Sequence, residues 1–81
     1  MAGKKRDRVL PLAALQKGDR GRIVALEPRQ EGDLLKVLAL GLIPGERVRV
    51  VHRRPLVVVQ AGRSFIAMDG EMAEGIHVCR E

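Results

Sequence analysis

Eighty-one residues leave room for one domain, since independently folding units usually run to ~100–150 residues. Hydrophobic residues make up 46% of the chain, enough for one small core and too much for a disordered segment. The formal net charge is +5, and Lys4, Lys5, Arg6 and Arg8 against Asp7 place +3 of it within residues 1–8.

The single cysteine, Cys79, excludes an internal disulfide framework and a four-cysteine zinc cage. No apolar stretch approaches the ~20 residues of a membrane-spanning helix. The opening MAGKKRDRV carries positive charge with no apolar segment behind it, so it does not read as a secretory signal. The chain is expected to be a complete, soluble, intracellular domain, with a solvated basic arm over residues 1–8 and a folded body over residues 9–81. Phe65 is the lone aromatic residue. A row of base-stacking platforms cannot be built from one ring, which disfavours binding of single-stranded nucleic acid.

In chain order, Leu10–Lys17 reads as a short helical turn, with Pro11 in the first turn and Leu12 and Leu15 laid on the body. Arg20–Glu27 is a strand carrying Ile23, Val24 and Leu26. Pro28 to Gly32 is a loop of turn formers. Asp33 suits an N-cap, and residues 34–40 form a short helix ended by Gly41 in the left-handed C′ position. At 100° per residue Leu34, Val37 and Leu38 share the face expected to dock on the body. Leu35 and Leu40 point to either side.

Leu42-Ile43-Pro44-Gly45 is a turn, and Gly45 is free to take a positive φ. Glu46–His52 alternates Val48 and Val50 against Arg47 and Arg49, the period of a half-buried strand. Leu56–Gln60 and Arg63–Met68 form a hairpin around Ala61-Gly62. Asp69–Gly75 reads as one helical turn carrying Met72 and Ala73, and Ile76–Arg80 as a last strand with His77 and Cys79 on its outer face. The fold expected is mainly β: a small SH3-like, partly open antiparallel barrel of about five strands, with one short helix and two single helical turns.

The segment KVLALGLIPG, from Lys36 to Gly45, and the alternating valines behind it resemble the FeoA family, ferrous-iron transport protein A. Leu40, Gly41, Leu42, Pro44 and Gly45 match its Leu-Gly-Leu-x-Pro-Gly element. Glu71, Ala73, Ile76 and Val78 follow its C-terminal pattern, and Leu12, Leu15, Gly18 and Gly21 its N-terminal one. Leu34 and Leu35 stand where the family is more polar, and Asp69 where it is often basic. The resemblance implies a small cytoplasmic accessory of the FeoB transporter, a membrane protein with a cytoplasmic guanine-nucleotide-binding domain. The same barrel is similar to the C-terminal domain of DtxR-type metal-dependent repressors.

No constellation supports catalysis. Ser64 lies inside a strand with no base or oxyanion hole in view, and the glycines form no nucleotide-binding loop. No motif demands a cofactor. His77 and Cys79, with His52 from another strand, offer an incomplete donor set that would suit Fe or Zn. Arg47 and Arg49, with Arg53 and Arg54, form a basic stripe suited to an acidic partner surface or phosphate. Leu34, Leu35, Leu38, Leu40, Leu42, Ile43 and Pro44 exceed what one short helix can bury, and surfaces of that kind mark a docking or self-association site. The alternative function is a basic barrel that binds nucleic acid or serves as a metal-responsive module.

Overall fold

A computed structural model describes residues 9–81; the basic arm expected over residues 1–8 lies outside the described residues. Six strands run β1 (Val9–Pro11), β2 (Arg20–Leu26), β3 (Arg47–His52), β4 (Val57–Ala61), β5 (Ser64–Met68) and β6 (Ile76–Arg80). Helix α1 (Asp33–Ala39) connects β2 to β3, and α2 (Gly70–Glu74) connects β5 to β6. They form one sheet in the order β1-β6-β2-β3-β4-β5, antiparallel at every pairing. The sheet begins at β1 and ends at β5 without closing, so the partly open antiparallel architecture expected from the pattern holds.

Alternation explains the core. Ile23 faces Val78, Val50 faces Val59, and Val59 faces Ile66 across neighbouring strands. All are buried, together with Leu12, Leu15 and Ile76. Period-two side chains on a curved sheet point their valines to one side and their arginines to the other. Gly21 is needed where β6 crosses β2, because a Cβ there would lie 3.1 Å from the Cys79 carbonyl oxygen and 3.2 Å from the Val78 side chain.

The added strand is β1. Two of its residues, Leu10 and Pro11, fall in the segment expected to be a helical turn, but Leu10 pairs with Val78 and Pro11 with His77. Pro11 has an extended backbone (φ −66°, ψ 148°), which an edge strand accommodates because no further partner needs its missing N–H. The helical turn shrinks to a single 3-10 turn at Leu12–Ala14.

At the start of α1 the expected cap moves by one residue. Gly32, left-handed at φ 89°, is the N-cap, and no side chain caps the turn. Asp33 sits inside the helix, buried, where its acid group faces the positive end of the helix dipole. At the other end the pattern holds. Gly41 takes φ +83°; its N–H donates to the Leu38 carbonyl (2.9 Å), and that of Leu42 to the Val37 carbonyl (3.1 Å). These two bonds make a Schellman motif, with apolar Val37 and Leu42 closing it from the core side. Open space surrounds the position a Gly41 Cβ would take, so a substitution there is opposed by the backbone alone. Gly41→Val should therefore cost about 1–2 kcal/mol, read as a lower chemical-denaturation midpoint at an unchanged slope. An unchanged midpoint would contradict the left-handed assignment.

Candidate functional site

Helix α1 lends the body little of its surface. Only Asp33 and Val37 of its seven residues are buried. The docking stripe expected of Leu34, Val37 and Leu38 is thus corrected: Leu34 and Leu38 remain 42% and 40% exposed, and Leu35 is 74% exposed. The physical reason is the pairing of Asp33 with Val37, one turn apart, on the inward face. That phase turns the leucines outward. Leu40 and Ile43 extend the apolar surface past the helix end, and Pro44 is exposed beside them.

Leu42 does not belong to this surface. It is fully buried, because the Schellman turn folds the chain back and drives this side chain into the core beneath Val37. Gly41 and Gly45 keep the structural role expected of them, Gly45 at φ +100° donating its N–H to the Ile23 carbonyl (2.7 Å).

A groove of about 540 Å³ continues the leucine surface toward β5. Leu40, Leu56, Ala67 and Met72 line it, Met68 contributes from below, and Lys36 and Asp69 supply its polar members. The sequence pattern placed Leu56 and Ala67 on strands without assigning them to a site. Their signal was an exposed apolar residue, Ala67 on β5 and Leu56 just before β4, next in space to a helix with surplus leucines. Asp69 acts locally, its Oδ1 accepting the Met72 N–H at 2.8 Å to cap α2.

The metal donors do not converge. His77 lies on β6 and His52 on β3, with β2 between them. The His77 Nε2 lies 2.9 Å from Glu27 Oε1. Cys79 is half-buried two residues along β6. Among the described residues, no group of three His, Cys, Asp or Glu side chains is placed to hold a metal ion.

The basic stripe is also redrawn. Arg47 and Arg49 point outward from β3 as expected. Arg53 instead turns in, its Nη2 donating to the Ala13 carbonyl at 2.9 Å and tying the 3-10 segment to the β3–β4 loop. Arg54 is exposed in that loop, where the Arg54–Pro55 peptide bond is cis. The arginines that do join Arg47 and Arg49 come from β2. Register places Arg20 opposite Arg49 and Arg22 opposite Arg47. The alternation Arg20-Gly21-Arg22-Ile23 carried that signal, once the pairing of β2 with β3 was known.

Residues 10–80 match the FeoA domain family. The chain belongs to the FeoA family. Among solved structures, this FeoA chain is similar to an iron uptake regulatory protein, FeoA (23% identity, TM-score 0.81, covering 90% of this chain and 97% of that one). It is similar to the zinc-complexed FeoA of Stenotrophomonas maltophilia, described as an SH3 domain protein (21% identity, TM-score 0.77, covering 89% and 95%). It is also similar to a manganese-dependent transcriptional repressor (21% identity, TM-score 0.82), covering 90% of this chain but 42% of that one. These likenesses establish a common SH3-like fold, which FeoA shares with one portion of the longer repressor. No curated protein sequence matches the chain significantly. The family associates the chain with ferrous iron transport. Among the described residues, no helix is long and apolar enough to cross a membrane.

Proposed function

We propose that this FeoA protein is a non-enzymatic cytoplasmic accessory of ferrous iron transport, docking through α1 and its adjoining groove on the cytoplasmic part of a FeoB-type transporter. The observation that carries the reading is the outward phase of α1: Leu34, Leu35 and Leu38 are exposed on one short helix, and Leu40 is exposed at its C-cap. Exposed apolar surface of this kind is costly to leave in water and is covered at interfaces. Fully burying an exposed leucine contributes about 1.5–3 kcal/mol, and the half-exposed leucines here contribute a part of that to association.

Leu35→Glu tests it. Leu35 is the most exposed of these leucines, so the variant should keep the melting temperature of the parent within a few degrees, as surface changes of about ±0.5 kcal/mol do. At the interface the carboxylate would be desolvated without a partner, and affinity for the transporter's cytoplasmic part should fall at least about tenfold. The measurement is co-elution and titration of the two chains, with and without guanine nucleotide. Undiminished association of a folded Leu35→Glu variant would remove this surface from the reading, and no association of the parent chain would remove the partner.

A further inference from the structure

The outer face of the β2–β3 pair carries four guanidiniums in two cross-strand rows, Arg22 with Arg47 and Arg20 with Arg49. All four residues are exposed. The first row already holds an anion. Glu81 extends β6 alongside β2, its N–H donating to the Arg20 carbonyl at 2.9 Å. Its Oε2 lies 3.8 Å from Arg22 Nε and 3.6 Å from Arg47 Nε. The second row has no such occupant: among the described residues, Arg20 and Arg49 make no ion pair. The nearby Arg80 is engaged elsewhere, 3.4 Å from Asp19 Oδ1.

From this geometry we infer that the β2–β3 arginine face binds an extended acidic peptide segment of a partner protein, with Glu81 as a built-in competitor at the first row. The inference is independent of the leucine surface on α1. Two residues of extended chain rise about 6.8 Å, so carboxylates at alternate positions of a bound strand repeat at the pitch of the two arginine rows. Guanidinium pairs favour planar carboxylates, and the carboxylate of Glu81 shows the first row accepting one. Beyond the second row the register of β3 with β4 shifts between Val50 and His52. A cleft of about 440 Å³ opens there, walled in part by Arg49, Val51, Gln60 and Phe65. It receives one apolar side chain, two positions past the second acid. A nucleic-acid strand fits less well, because Phe65 is the one Phe, Tyr or Trp side chain in the sequence and successive bases need successive platforms.

The probe is a fluorescein-labelled peptide, Ser-Glu-Ser-Glu-Ser-Leu-Ser, titrated into the full chain and followed by fluorescence anisotropy. An ionic strength of about 50 mM keeps surface charges weakly screened. An oligothymidylate of similar length is titrated alongside. Arg20→Ala with Arg49→Ala should weaken peptide binding about tenfold, at roughly two- to fivefold for each exposed pair removed. Glu81→Gln, which vacates the first row, should tighten it about two- to fivefold. Leu35→Glu should leave it unchanged, which separates this face from the transporter-docking reading. Circular dichroism checks that each variant is folded. The inference is overturned by absence of peptide binding, by equal binding of the double variant, or by oligothymidylate binding as tightly as the peptide. A Glu81→Gln variant that binds no better overturns the competitor role.

Discussion

Leu42→Ala should lower the melting temperature of the domain by roughly 10–30 °C. The side chain is fully buried, and removing a buried leucine of this kind costs about 2–5 kcal/mol, partly as lost transfer energy and partly as the cavity left behind. A domain of this size loses about 4–8 °C per kcal/mol. Total stabilities run near 0.05–0.15 kcal/mol per residue, so the loss consumes a large share of what holds the fold. Leu35, seven positions earlier and largely exposed, is the contrasting site. Thermal unfolding of the two variants side by side distinguishes them. Equal, small effects would mean that Leu42 is not held under Val37 by the Schellman turn.

Gly75→Ala should be nearly as damaging for a different reason. Gly75 has φ −90° and ψ 1°, which alanine can adopt, so conformation is not the obstacle. Space is. A Cβ built there would lie 2.5 Å from the Glu27 carbonyl oxygen and 3.2 Å from its carbon. The neighbour cannot readily withdraw, because the Glu27 N–H donates to the Gly75 carbonyl at 2.6 Å and fixes the two backbones together. Overpacking against main chain costs about 1–3 kcal/mol or more, equivalent to a fall of roughly 5–20 °C. Amide hydrogen exchange at Glu27 should rise with it. An alanine variant with parental melting temperature and parental exchange would show that the α2–β6 junction can slide.

The strands were legible because their residues alternate. Val48 and Val50 against Arg47 and Arg49, and Ile76 and Val78 against His77 and Cys79, announce both the strand and its inner face. Glycine at a helix end was equally readable at Gly41, since few other residues take a positive φ there. What escaped was whatever depends on where an element docks. With Asp33 expected as a cap and Lys36 the only polar side chain after it, the helix offers little to mark its phase, so the inward pairing of Asp33 with Val37 could not be seen, and Leu42 looked like its exposed neighbours. Strand order decided the rest. It placed β2 between His52 and His77 and dispersed the donor set, and it set Arg20 and Arg22 beside Arg49 and Arg47. The three-residue β1 is too short for alternation to declare itself, and Pro11 disguised it as a helix start.

The open sheet has unlike ends. At one margin, among the described residues, lies β1, three residues long and finished by a proline without a donor. At the other lies β5, five residues without a proline, paired with β4 on one side only and with the large ring of Phe65 exposed. An incoming strand can therefore be templated at one margin far better than at the other. Two chains joined through β5 would consume that margin in both copies and present only the blunted β1 at either extremity. Growth by edge pairing would then terminate at two.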